Sequence, residues 1–205
     1  MPANHLVLLV EEPSMEAFLD TLLHRLLPGG PTFEIHAFQG KSDLLGKLEE
    51  RLRAYQRWLP DDWRLVVMVD RDNDDCQELK ERMERLAAVS GLRTRSIAEN
   101  DGWQLVNRVV IEELEAWYFG DWKAVRAVYP KLNPSVPRQA SHRDPDAVAG
   151  GTWEAFERVL QREGYFKTGL RKIEAARAIA AHFDPDQNRS RSFANFWDAI
   201  TEAAA

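Results

Sequence analysis

Residues 65–70 read LVVMVD, an unbroken apolar run that ends in an aspartate. A strand with one wet face alternates polar and apolar side chains, whereas a strand apolar at every position is covered on both faces, the habit of central strands in parallel sheets. The rest of the first 120 residues fits that demand. HLVLLV (5–10) reads as a strand, and SMEAFLDTLLHRLL as an amphipathic helix with Ser14 as its N-cap. PGGP breaks the chain before TFEIHAF, where Phe33, Ile35 and Ala37 alternate with polar neighbours. Ser42 caps a second helix running to about Trp58. After the central strand a third helix fills 74–89 and stops at Gly91, and LRTRSIA and WQLVNRVVI supply two more strands. Strands alternating with helices predict a mostly parallel sheet joined by right-handed crossovers.

Beyond Ile111 only helix signals remain. EELEAWYFGDWKAVRAVY reads as helix up to Pro130, and residues 130–151, with four prolines and two glycines, as an exposed loop. Thr152 to about Glu163, Leu170–His182 and Ser192–Ala203 are further helices. The expected organisation is an α/β, Rossmann-like domain over 1–120 with a C-terminal helical extension, 121–205, packed on it.

Composition narrows the class. A chain 44% hydrophobic and 29% charged is an ordinary globular one. LVLLV, the early apolar stretch, falls far short of the roughly 20 residues a membrane helix needs. The start also lacks a charged leader and cleavage site, so no membrane partner and a cytoplasmic location are expected. The single cysteine, Cys76, excludes an intrachain disulfide and a cysteine-rich zinc site. Residues 1–120 hold 14 Lys+Arg against 22 Asp+Glu, and residues 121–205 hold 13 against 11. That asymmetry fits an acidic site beside a mildly basic surface suited to phosphates.

Open α/β sheets place ligands beyond the carboxyl ends of their strands. Glu11 and Glu12 follow the first strand, Asp70 and Asp72 the third, and Glu112, Glu113 and Glu115 the last. Asp70 and Asp72 are two apart at a strand end, a spacing that points both side chains one way. Glu112 and Glu115 are three apart on what reads as one helical face, where pairing with Arg108 is the plainer alternative. Asp74 and Asp75 are ordinary first-turn acids. If the first and third strands are neighbours, these carboxylates crowd together and repel. An all-oxygen set favours Mg²⁺ or Mn²⁺, which would neutralise it. Trp117 and Phe119 read as core, and the five histidines have no metal-type spacing. In GLRKIEAARAIAAHF, Arg171 and Lys172 sit in a first helical turn, where cations oppose the helix dipole; that placement suits an anion contact, with pairing to Glu174 as the plainer reading.

LVEEPSMEAFL resembles the first motif of the Toprim fold, and VVMVDRDND its Asp-x-Asp motif. The pair resembles the Toprim domains of topoisomerases, primases and, above all, nucleases of the overcoming-lysogenization-defect family. The whole chain, including IEELEAWYFGD and RKIEAARAIA, is similar to the bacterial DUF4276 family of stand-alone Toprim-like proteins. The resemblance implies that Glu11 is a catalytic or metal-binding glutamate and that Asp70 and Asp72 bind divalent metal. It further implies that Glu115 or Glu112 and a late lysine, Lys172, complete the site. Glu12 departs from the pattern, standing where Toprim motifs usually have glycine.

The expected function is Mg²⁺- or Mn²⁺-dependent cleavage of phosphodiester bonds in DNA or RNA. Two ions about 4 Å apart would act at the reacting oxygens, with Lys172 or Arg171 neutralising the phosphate. The chain has no Walker A pattern, so the phage-defence role implied by the resemblance needs a separate ATPase. A non-catalytic partner of such an ATPase is the alternative. A receiver-like signalling module fits less well, since no Lys-Pro closes the last strand.

Overall fold

The structure is a computed structural model that describes residues 2–98, 102–148 and 150–205. Four strands, β1 (His5–Val10), β2 (Thr32–Ala37), β3 (Trp63–Asp70) and β4 (Leu105–Val110), form one all-parallel sheet in the order β2-β1-β3-β4. The register sets Val10 beside Met68 and Asp70 beside Val110. All strand ends that carry acids therefore lie along one edge. Among the described residues eight α-helices flank the sheet: α1 (Pro13–Leu26), α2 (Lys41–Gln56), α3 (Cys76–Ser90), α4 (Leu114–Gly120), α5 (Trp122–Val128), α6 (Thr152–Arg162), α7 (Lys172–Ala180) and α8 (Arg191–Ala204). The arrangement is Rossmann-like.

Side chains of β1 and β3 divide by parity between two cores. Val7, Leu9, Leu65, Val67 and Val69 meet Leu44, Leu48 and Leu52 of α2 and Leu79, Met83 and Ala87 of α3. The four-residue spacing in each helix makes one apolar stripe facing the sheet. Leu8, Val10, Val66, Met68 and Val106 meet Phe18 and Leu22 of α1, and the same cluster continues through Trp117, Phe156, Ile179 and Phe196 of the later helices. Continuous apolar strands are thus explained by cover on both faces. α1 and α3 lie on opposite faces, so the connections leaving β1 and β3 diverge and open a crevice at the carboxyl ends of those two strands.

Several local expectations change. α1 begins at Pro13 with Glu12 as N-cap; the Ser14 hydroxyl donates to the Glu12 carboxylate and caps nothing. Proline at the first helical position presets the helical φ and starts the helix before Ser14 is reached. α2 likewise starts at Lys41, behind Gly40, whose φ of +94° suits glycine, so Ser42 lies inside the helix. α3 starts later than expected because Asp75 is its N-cap, accepting hydrogen bonds from the Gln77 and Glu78 amides at 2.8 and 2.9 Å. Gly91 closes it in the left-handed region.

LRTRSIA is not a strand. Thr94 alone bridges Leu105, after which the chain turns and Arg95 pairs outward with Asp198 and Glu202 of α8. The helix expected through Tyr129 is broken at Asp121, whose carboxylate accepts from the Ala124 amide and, 63 residues on, from the Asp184 amide. Residues 130–151 are not simply an exposed loop. Among the described ones are three short 3₁₀ turns, and Leu132, Val136 and Val148 enter the core.

The helical half closes over α1 and the β4 edge. α1 packs on α7 and α8 on β4. Arg25, near the end of α1, donates to the carbonyls of Ala180 and Phe183. Trp117 is fully buried, rings Phe18, Phe193 and Phe196 lie about it, and its indole N–H donates to Ser192 at 3.0 Å. Because this residue joins α1, α4 and α8, Trp117→Ala is expected to cost about 3–5 kcal/mol. Thermal denaturation followed by calorimetry checks it, together with the expectation that wild type unfolds in one transition.

Candidate active site at the carboxyl edge of the sheet

Asp70 continues the row of Val66 and Met68 on β3 and is 7% exposed. Burial, and then repulsion from Glu11, Glu12, Glu115 and Asp72, push its pKa well above the usual carboxylate range. Its backbone N–H donates to Glu11 Oε2 at 3.0 Å, which fixes the first-strand glutamate against the third strand. Burial raises the Glu11 pKa too, opposed by the hydrogen bond from the Asp70 amide. Glu115, in the first turn of α4, is 1% exposed, and its Oε2 is buried without a hydrogen-bond partner. Burial drives it up to about 7 against the pull of Lys172.

Lys172 opens α7 and reaches this group from the helical half. Its ammonium lies 3.7 Å from Glu12 and 5.2 Å from the centre of the Trp153 ring. Burial works to lower its pKa, but attraction from Glu115, Glu12, Glu113 and Asp70 wins and raises it, so the ammonium stays charged. Arg171 is elsewhere: it is exposed and pairs with Glu174 at 2.9 Å, the plainer of the two readings made for it. The two neighbours in sequence thus have different partners.

The remaining acids already have cations or helix ends. Lys41, from the start of α2, is 2.7 Å from Asp72 and 2.8 Å from Asp74 and donates to the Arg71 carbonyl at 3.0 Å. Asp72 does not follow the period-two spacing, because β3 ends at Asp70 and Asp72 turns with φ +48°. Glu112, φ +63°, lies outside α4 and pairs with Arg71, so it shares no helical face with Glu115, nor does it pair with Arg108. Glu113 accepts from the Thr152 hydroxyl and the Trp153 amide at 2.8 and 2.9 Å, fastening α6 by its first turn.

Three participants were missed in the sequence: Lys41, Trp153 and Tyr118. Lys41 had a usable signal, a cation immediately beyond the carboxyl end of β2. Tyr118 is 1% exposed, and burial followed by the charges of Glu115 and Glu12 raises its phenol well above the ordinary range. Tertiary packing places it there, its ring against Phe18 of α1 and Phe156 of α6.

Among the described residues no group of three His, Cys, Asp or Glu side chains is gathered tightly enough to hold an ion by itself. The donor set nevertheless fits Mg²⁺, which typically takes one or two carboxylates and keeps several waters. Glu11 and Asp70 would be such a pair, and Glu115 Oε2, buried without a partner, would offer a further oxygen.

Glu115 gives a signed pH prediction. The unfolded glutamate ionises near 4.5 and the folded one at about 7, so between those values the native state holds the extra proton and stability falls as pH rises. In metal-free buffer Glu115→Gln should flatten that fall and raise stability at pH 8, by on the order of 1–3 kcal/mol. Asp70→Asn should likewise leave metal-free stability unchanged or higher. Urea denaturation across pH 4–8 checks both, and a clear loss of stability would mark these acids as structural pairs.

No helix among the described residues is long and apolar enough to cross a membrane. Comparison with curated proteins and with solved structures gives no significant match. A family described as "Domain of unknown function (DUF4276)" matches residues 10–201, from the last residue of β1 almost to the end of α8, and the chain belongs to that family.

Proposed function

We propose that the protein is a Mg²⁺- or Mn²⁺-dependent nuclease that cleaves phosphodiester bonds of DNA or RNA, in the manner of the Toprim domains its motifs resemble. The observation that carries the reading is the group of the half-buried Glu11 with Asp70 and Glu115, the last two nearly inaccessible and Glu115 with an unpartnered oxygen, faced by the charged Lys172. Three carboxylates gathered at one sheet edge cost stability unless a cation joins them. Structural residues rarely accept that cost, and sites do.

Glu11 and Asp70 would hold the cation, which when bound supplies an activated water and charge neutralisation at phosphate. Glu115, poised at about 7, can hold or release a proton near neutral pH beside that water. Lys172 keeps its ammonium charged and would contact a phosphate oxygen, with the Trp153 ring facing that ammonium. Lys41 positions the turn after β3 by tying Asp72, Asp74 and the Arg71 carbonyl to α2.

A second reading, a non-catalytic partner of a separate ATPase in phage defence, is favoured by the ion pairs Lys41–Asp72 and Arg71–Glu112, which already neutralise two of the acids. The readings differ in what divalent ions do. For the nuclease, millimolar Mg²⁺ or Mn²⁺ should raise the melting temperature, by about 2–4 °C for each kcal/mol of binding energy, and Asp70→Asn should abolish the rise. Lys172→Ala should retain the ion-induced shift and lose Mn²⁺-dependent cleavage of plasmid, single-stranded DNA or RNA. No shift with either ion, or full cleavage by Lys172→Ala, contradicts the proposal.

A further inference from the structure

The two edges of the sheet differ in what covers them. Along β4, Thr94 bridges Leu105, the Arg95 amide donates to the Leu105 carbonyl, and Lys80 donates to the Asn107 carbonyl. β2 pairs with β1 on one side only. The Thr32 and Phe38 amides donate to the Asn4 and Val10 carbonyls, so the even-numbered residues of β2 face β1. By the two-residue repeat of a strand, Phe33, Ile35 and Ala37 turn their backbone N–H and C=O groups outward, and no described residue takes them. A free edge commonly carries a lysine, a proline or a bulge that discourages pairing. TFEIHA carries none of these, and its register with β1 is unbroken over six residues.

This edge is complementary to itself. Phe33, Ile35 and Ala37 pack toward the α1 face, while Glu34 and His36 lie on the α2 face, where the Glu34 charge acts on Tyr55. A second copy added antiparallel about a two-fold axis must match outward residues with outward residues. The registers that keep most of the strand are centred on Glu34, Ile35 or His36. Centred on Glu34, the pairing sets Glu34 against Glu34 and puts Pro31, which has no N–H, at an outward position. Centred on His36, it sets the two His36 rings together and calls on the Gln39 amide, which already donates to Asp43. Centred on Ile35, it hydrogen-bonds Ile35 to Ile35 and each Phe33 to an Ala37, and it sets each Glu34 against the other copy's His36.

We propose that the chain forms a two-fold dimer by antiparallel pairing of β2 with β2 of a second copy, centred on Ile35, which joins two four-stranded sheets edge to edge. The contact extends beyond the strand. A groove of about 430 Å³ runs beside β2, walled by Pro13 and Ala17 of α1, Phe33 and Ile35 of β2 and Ile173 of α7, the last 43% exposed. Glu16 lies in the first turn of α1, and His24, near its end, meets the Phe33 ring at 4.6 Å, so α1 runs back along β2. The two-fold therefore brings the Glu16 end of one groove to the His24 end of the other. Each copy sets Glu16, Asp20 and Glu34 against Arg177 and Arg51, with His24 beside Asp20 and His36 beside Glu34, so neither sign of charge dominates. Antiparallel joining also points the carboxyl ends of the two sheets in opposite directions, which leaves both acidic edges open.

Sedimentation of the full chain should give twice the mass of one chain. Its melting temperature should rise with protein concentration, and the Phe33, Ile35 and Ala37 amides should exchange slowly with solvent. Glu34→Lys and His36→Glu should each weaken the dimer by about tenfold or more, since each changes two cross-strand pairs. Mixed in equal amounts, these two variants should form a heterodimer tighter than either homodimer, because each substitution then faces the other. Ala37→Pro, which removes an outward N–H and no bond to β1, should be monomeric with the far-UV spectrum of wild type. A monomeric wild type overturns the interface. A dimer that Ala37→Pro leaves intact, or one whose three outward amides exchange fast, overturns the strand pairing. Unweakened charge variants, or no gain on mixing them, overturn the register.

Discussion

The repulsion among carboxylates at the ends of β1 and β3 is the constraint around which the edge of this sheet is built. Parallel register leaves no freedom here: with Val10 beside Met68, the residues after each strand must emerge together. The chain meets the repulsion in two ways. Acids that turn outward, Asp72, Asp74 and Glu112, receive Lys41 or Arg71 and are neutralised by neighbours close to the same edge. Acids that turn inward, Asp70 and Glu115, receive no direct ion pair and respond by holding protons more tightly. A division between satisfied and unsatisfied carboxylates of one cluster is what separates scaffold from site.

The helical half supplies more than cover. Glu115 comes from α4, Lys172 from α7, and Trp153 from α6, whose first turn is held by Glu113. α7 is placed by its packing on α1, the helix that directly follows Glu11 and Glu12, and by the Arg25 bonds to the Ala180 and Phe183 carbonyls. The sheet contributes two carboxylates of the buried group, and the helices contribute the third carboxylate and the cation.

What the sequence makes legible follows from which forces are local. Four of the five strands expected from apolar runs and alternation occupy almost the expected residues, because burial in the sheet requires those runs. LRTRSIA misleads because β propensity without a burying partner does not make a strand; its Arg95 is drawn instead to α8. Helix starts shift by one or two residues where Pro13, Gly40 and Asp75 fix the backbone more firmly than the serines do. Asp70 and Glu11 could be named from their positions after strands, and the parallel sheet brings them within a hydrogen bond. The pairing of Lys41 with Asp72 could not, since it depends on the exit angle of β2 and on a left-handed turn at Asp72 that alternation does not foresee.

That turn also bears on how the edge can respond to charge. Asp72 and Glu112 are two of the three non-glycine residues with positive φ among the described residues, and they lie opposite one another, the Asp72 amide donating to the Glu112 carbonyl at 3.4 Å. Each conformation costs on the order of 1 kcal/mol or more, and such strain persists only where surrounding contacts over-determine it. Here those contacts are the two ion pairs, Lys41 from α2 and Arg71 from the turn itself. The cations therefore do two things at once: they neutralise the outward acids and hold two strained residues in place. Holding them keeps Asp72 and Glu112 turned away, so that the buried carboxylates of Asp70 and Glu115 remain the ones left without a paired positive charge.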